Sequence, residues 1–289
     1  MITERRKYGG MVMKFYEAVK VSDSLTRIKS KTGELLYLAE GTERAVLIDT
    51  CVGVGHLKEF VSGLTEKPLT VLLTHGHVDH AMGAPEFDEV YMNLKDVPLY
   101  QRQCSLEERK GYLAAGLGDA FGQIPGDAYV QPEKDYAFRE LADGMAFDLG
   151  GLHIDAFEFP GHTKGSMVFL LREMRILILG DACNNSTFLF DQDACPLDEY
   201  MEALEKVRGR LAGKYDRVFL SHHDMETGTE IMDNVMEVCR EAVEGKADDI
   251  PFNFMGNHAY IAKKCNERFQ REDGKCGNII YSKKKLHRR

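Results

Sequence analysis

Apolar residues along this chain gather in short runs divided by turn-forming polar stretches, and the runs show two different periods. Residues 25–28, 35–39 and 45–49 are short, rich in Leu, Val and Ile, and predict strands. Residues 54–64 have helical spacing, whereas 69–73 is a continuous apolar run, as expected of a strand buried on both faces. The stretch 92–144 breaks the rhythm. It is richer in Gly, Gln, Lys and Glu and predicts helices, 105–115 among them, with loops between. Strands resume at 145–149, 152–159, 166–171 and 176–179. An amphipathic helix follows at 197–211, a short strand at 217–220 and another helix at 229–244. Beyond 250 the pattern weakens, with strands expected at 259–262 and 278–281 and a basic end, 283–289, expected to be partly disordered. Residues 1–13 predict a flexible extension in which Met11 and Met13 are alternative starts. The expected division is therefore 1–13, a main domain over 14–250, and a C-terminal extension over 251–289 packed on it.

Two runs of strands, each finished by helices, fit a sheet-on-sheet core clothed by helices, an α+β arrangement, better than a doubly wound parallel sheet. No GxGxxG or GxxxxGK[ST] supports nucleotide binding. Composition narrows the function classes. Of 289 residues 44% are hydrophobic and 29% charged, which excludes fibrous and wholly disordered classes. A net charge of −9 argues against nucleic-acid and membrane-surface partners. No apolar run reaches the roughly 18 residues of a spanning helix. Two glycines, not an apolar segment, follow Arg5-Arg6-Lys7, so no signal peptide is expected. Seven cysteines, an odd number without CxxC spacing, predict reduced thiols and a cytoplasmic location.

The histidines carry the chemistry. Of ten, three fall with an aspartate inside six residues, His75, His77, Asp79 and His80, directly after the buried strand 69–73. Alternate side chains of an extended segment point the same way, so His75 and His77 can converge on one ion. If the chain then turns, Asp79 and His80 can face a second. Packing does not explain the cluster, because every buried imidazole needs a polar partner. Imidazole and carboxylate suit zinc, manganese or iron. Further donors stand at strand ends: His162 in Pro160-Gly161-His162-Thr163, Asp181 in Leu179-Gly180-Asp181, and His222 and His223 after Leu220-Ser221. A carboxylate between two cations can bridge them through its two oxygens.

HxHxDH, then GHTxGS, then a strand ending in GD, then a strand ending in a small residue and His, resembles the metallo-β-lactamase fold superfamily over about residues 25–245. The pattern is most similar to its glyoxalase II-like and lactonase-like metallo-hydrolases. The resemblance implies an αββα sandwich with metals at one edge and a helical insertion around 92–144. It implies that His75, His77 and His162 hold a first divalent ion, that Asp79, His80 and a last histidine hold a second, and that Asp181 bridges. Asp49 would support the histidine motif from behind. The last histidine is His222 if 218–222 aligns with the family's strand end, or His223 if it shifts by one. The implied enzyme is a metal-dependent hydrolase with two divalent ions, zinc foremost and Mn2+ or Fe2+ as the other options. A bridging hydroxide, oriented by Asp79 as the catalytic carboxylate, would attack a small carboxyl ester, thioester or lactone.

Departures from the pattern bear on substrate. The run Ala182-Cys183-Asn184 lacks the Gly-Cys-Gly-Arg signature of glyoxalase II and the tyrosine of the acyl-homoserine lactonases. Three alternatives therefore stay open: a phosphodiesterase on the same metals, a mononuclear-iron sulfur dioxygenase-like oxidoreductase, and a non-catalytic metal-bearing ligand-binding protein. The expected partner is a small molecule with a hydrophobic portion, and a homodimer is left open. Residues of the insertion, Phe121 and Tyr129 above all, are expected to line the pocket and set acyl-chain preference.

Overall fold

The computed structural model describes residues 14–288, so the N-terminal extension expected over 1–13 lies outside the described residues. The first sheet runs in chain order through seven strands. These are β1 (Tyr16–Ser22), β2 (Leu25–Ser30), β3 (Leu35–Glu40), β4 (Ala45–Ile48), β5 (Leu69–Leu72), β6 (Val90–Met92) and β7 (Arg139–Glu140). Its first four strands are antiparallel neighbours, and β4 to β7 pair in parallel. The second sheet takes β8 (Ala146–Asp148), β9 (His153–Glu158), β10 (Met167–Leu171) and β11 (Ile176–Gly180). The chain then leaves it to form β12 (Thr187–Leu189) and returns with β13 (Arg217–Leu220) and β14 (Glu226–Thr227).

The two sheets face each other. Leu25, Tyr37, Val46 and Leu72 from the first meet Ile154, Phe169, Ile178 and Phe219 from the second in one buried cluster. The outer face of the first sheet buries Leu36, Leu47 and Val71 against α1 (Leu57–Ser62) and the insertion helices α2 (Val97–Gln103) and α3 (Leu106–Leu117). The outer face of the second buries Val168, Leu170, Leu177 and Leu179 against α4 (Leu197–Leu211) and α5 (Ile231–Val243). Both faces of β10 and β11 are covered, which is why they read as unbroken apolar runs. The result is the expected αββα sandwich.

Helix boundaries follow local chemistry. The Ser105 side chain accepts the Glu108 N–H and starts α3. The helix expected from 54 begins only at Leu57, because Gly53, Gly55 and His56 all take positive φ. A third sheet takes the strands expected near 259–262 and 278–281 and adds two the pattern does not predict. It joins β12 to β15 (Ile250–Phe254), β16 (Asn257–Ile261) and β17 (Ile279–Tyr281). β12 and β17 pair in parallel, with Leu189 opposite Tyr281, so the C-terminal segment docks beside the chain that follows β11. The basic end lies against the start of α4. Lys285 Nζ donates to Ala194 O at 2.6 Å, and Arg288 N donates to Asp198 at 3.0 Å.

Candidate metal centre

Strands β4, β5, β9, β11 and β13 all end at one edge of the sandwich, since their neighbours are parallel or separated by one antiparallel strand. Asp49, the loop 74–80, His162, Asp181 and His222 leave those ends in turn. The structure brings all eight expected site residues together, although they span 174 positions of the chain. His77 Nδ1 lies 2.9 Å from His162 Nε2, and the rings of His75 and His77 meet at 4.8 Å. His80 Nε2 lies 3.1 Å from His222 Nε2 and 3.6 Å from Asp79 Oδ2. Asp181 Oδ2 stands between the two sets, 3.2 Å from His222 Nε2, 3.5 Å from His80 Nε2 and 3.9 Å from His162 Nε2. Groups of one atom each from His75, His77 and His162, from His75, His80 and Asp181, and from Asp79, His80 and His222 fall within 4.8 Å.

The far side of each ring fixes which nitrogen faces inwards. His75 Nδ1 meets Thr74 Oγ1 at 3.0 Å, His80 Nδ1 meets Asp49 Oδ2 at 2.9 Å, and His162 Nδ1 meets Phe188 O at 2.9 Å. Their Nε2 atoms are thus presented to the centre, the arrangement in which a histidine ligand is oriented by an outer hydrogen bond. His75 Nε2 is buried and has no hydrogen-bond partner. A buried orphan nitrogen is costly unless something accepts its lone pair, so the donor set fits divalent metal ions. His223 faces elsewhere. Its ring stands 6.3 Å from that of His222 and 5.6 Å from that of Phe269, leaving His222 as the residue at the centre.

Without metal, protons and carboxylates balance the site. Burial pushes the His77 imidazolium down to about 4, with His162 adding to it, and burial likewise holds His75 well below its ordinary value. Burial also works against the His222 imidazolium, but Asp181 and Asp79 overcome it and raise it to about 9. Burial opposes protonated His80 too, and Asp79 and Asp49 reverse that. Burial disfavours the Asp181 carboxylate, yet His222 and His80 hold it well below the usual carboxylate range.

Three braces around the loop had no sequence signal. Asp96, 1% exposed, accepts from Gly76 N at 3.0 Å, Gly165 N at 2.7 Å and Thr163 Oγ1 at 2.6 Å, tying the two histidine motifs together. A Cβ on Gly165 would lie 2.7 Å from Asp96 Cγ, which accounts for glycine there. Tyr112 Oη from α3 sits 3.1 Å from Asp79 Oδ2 and 2.5 Å from Glu34 Oε1. Asp191 Oδ1 accepts the N–H groups of Asp193 and Ala194, both at 2.9 Å, and its Oδ2 stands 3.9 Å from His77 Nε2. A lone Asp or Tyr outside any motif gives no advance notice of such contacts.

A cavity of about 730 Å³ opens over the centre. Phe121 and Tyr129, expected to line it, do not. Tyr129 is buried, Phe121 is half-buried, and both join the apolar cluster under the first sheet, where residue 129 also pairs with Val54. From the insertion only Gln103 and Tyr112 reach the cavity.

A metallo-beta-lactamase superfamily model matches residues 33–222, and the chain belongs to that superfamily. It is 24% identical to the acyl-coenzyme A thioesterase MBLAC2 of Homo sapiens over 60% of this chain and 66% of that protein. It is 26% identical to the atrochrysone carboxyl ACP thioesterase of Aspergillus fumigatus over 59% of this chain and 45% of that one. The chain spans only about half to two thirds of the length of the curated relatives it matches. The fold is also that of the metallo-beta-lactamase FIM-1 from Pseudomonas aeruginosa, solved in a mono-zinc form, with TM-score 0.56 and 18% identity over 78% of this chain and 96% of that one.

Proposed function

We propose that this protein hydrolyses a small thioester or carboxyl ester, lactones included, at two divalent ions, zinc foremost. The observation that carries the reading is the pair of facing donor sets with Asp181 standing between them, and the His75 Nε2 atom buried there without a partner. His75, His77 and His162 form one set, Asp79, His80 and His222 the other. Two cations held there would supply a water acidified towards neutrality and a Lewis acid for the scissile carbonyl. Asp79, kept a carboxylate chiefly by His80 and His222 against the effect of burial, would orient that water, and Tyr112 holds its Oδ2. Attack breaks the acyl C–S or C–O bond, and the products are a carboxylic acid and a thiol or alcohol. The two thioesterase relatives favour the thioester.

No Lys or Arg lines the cavity among the described residues, which disfavours a phosphodiester. The second donor set favours hydrolysis over mononuclear-iron chemistry. We assign residues 14–250 to the hydrolase domain and 251–289 to an extension completing its mouth. Seven free thiols support a reducing compartment such as the cytoplasm. The test is metal analysis after reloading with zinc, manganese or iron, followed by a panel of thioesters, esters, lactones and phosphodiesters. About two ions per chain and turnover of acyl substrates are expected. A stoichiometry of one or less, or turnover of phosphodiesters alone, overturns the reading.

A further inference from the structure

The cavity over the centre has two chemically distinct sides. Its floor carries His77, Asp79, His162, Asp181 and His222. Facing them is an apolar wall built by the third sheet and its connections: Phe188, Phe190, Phe252, Phe254, Met255 and Phe269. The rings form one array, with centroids 5.0 Å apart for Phe188 and Phe190 and 5.3 Å for Phe188 and Phe254. Phe252 and Phe254 stand 6.2 Å apart with nearly parallel planes. The array is continuous with the floor, because Phe188 O is also the acceptor that orients His162.

Two independent features say that this wall is not ordinary packing. Phe254 and Met255 are 40% and 65% exposed, so folding leaves much of their apolar surface in water. Met255 has φ 46 and Phe269 φ 58, in the left-handed region that bulky side chains avoid. Met255 and Gly256 make the two-residue turn of the β15–β16 hairpin, where Asn or Gly is the relaxed choice at the first position. Strained backbone that presents apolar side chains to a cavity points to a ligand. Charge narrows the ligand further. The cavity has no lining Lys or Arg among the described residues, while Asp191 and Asp193 stand at it.

We propose that the third sheet forms the acyl subsite of this enzyme, taking the uncharged apolar acyl chain while the scissile carbonyl lies over His77, Asp79 and His222. The proposal rests on the acyl-hydrolase reading and names the part of the substrate that the tail recognises. It moves chain-length preference from the insertion to residues 188–190 and 252–269.

The chain has no tryptophan, so Phe254→Trp in the full-length protein creates a single fluorescent reporter in the wall. Titration with octanamide, an uncharged and slowly hydrolysed acyl probe, shifts the emission to shorter wavelength and saturates, whereas acetamide does not. Suberic acid monoamide, the same chain with a terminal carboxylate, binds at least about tenfold more weakly, because its charge would be buried without a partner. In parallel, Phe254→Ala with Met255→Ala lowers the octanoyl-to-acetyl ratio of kcat/KM by about tenfold, as expected for lost burial of a few methylenes. No spectral response to octanamide in an enzyme that hydrolyses octanoyl thioesters overturns the proposal, and so does an unchanged octanoyl-to-acetyl ratio. If no acyl substrate is hydrolysed but octanamide still shifts the emission, the hydrolase reading fails and the apolar subsite stands.

Discussion

Asp49→Asn separates what the buried carboxylate does for the metal centre from what it does for the fold. Asp49 is 2% exposed and accepts Thr74 N at 2.7 Å, Thr74 Oγ1 at 2.8 Å and His80 Nδ1 at 2.9 Å. Alanine would strand three buried donors at about 1–3 kcal/mol each. It would also place an unfavourable residue at φ 67. The loss approaches the roughly 5–15 kcal/mol that holds a whole domain together, so alanine reports on folding only. Asparagine tolerates the left-handed conformation, and its carbonyl still accepts the Thr74 N–H. Its amide nitrogen then faces His80 Nδ1, which must become an acceptor. The imidazole hydrogen moves to Nε2, the atom turned towards His222, Asp181 and Asp79. A protonated Nε2 has no lone pair for a metal. Loss of such an outer contact weakens metal binding by about 10–100-fold, or roughly 1.4–2.7 kcal/mol. Competition against a chromophoric chelator resolves the two affinities. The set containing His80 should weaken by that factor and the His75, His77 and His162 set should hold. Equal loss at both sets, or none at either in a folded protein, refutes the reasoning.

His222→Ala should leave about one metal ion per chain and His223→Ala about two, read by elemental analysis; the reverse result would move the last ligand by one position. The metal-free protein should be most stable near pH 6.5. The depressed imidazolium of His77, at about 4, makes stability fall as pH drops from 6.5 towards 4, because the unfolded ring binds the proton more tightly. The raised imidazolium of His222, at about 9, stabilises fully below 6.5, and that contribution is lost as pH climbs through 9. Each limb is worth roughly 3 kcal/mol. Zinc displaces the His222 proton and should abolish the alkaline limb. A metal-free melting temperature that rises steadily from pH 6 to 9 would contradict the assignment.

What the sequence made legible was whatever a local pattern could carry. Strands β3, β4, β5, β10 and β11 are buried on both faces and read as apolar runs. The expected donors crowd within six residues or sit at the ends of such runs, where a local pattern exposes them. The edge strands β7 and β14 have two residues each and no apolar face to betray them. β15 is mostly exposed along its length, because one side faces the cavity instead of the core, so neither alternation nor a continuous run marks it. The misplacement of Phe121 and Tyr129 has the same origin. Apolar residues in the insertion were visible, but whether they turn to the cavity or to the first sheet is decided by contacts such as the pairing of residue 129 with Val54.

The braces explain why the insertion matters to the site even though only Gln103 and Tyr112 of it reach the cavity. Asp49, Asp96 and Glu34 are each 1–2% exposed, and a buried carboxylate is tolerable only when hydrogen bonds replace its water. Asp49 and Asp96 take those bonds from Thr74, Gly76, Thr163 and Gly165, residues beside His75, His77 and His162. Glu34 takes one from Tyr112, whose hydroxyl also meets Asp79. The loop 74–80 is therefore held at Thr74, Gly76, Asp79 and His80 by groups that need no metal. Asp96 and Tyr112 belong to the insertion, so that segment contributes rigidity to the donor loop, and the third sheet is left to shape the space in front of it. Side chains held in place before an ion arrives would lose little entropy on binding it, and that is what three carboxylates buried beneath the loop 74–80 would provide.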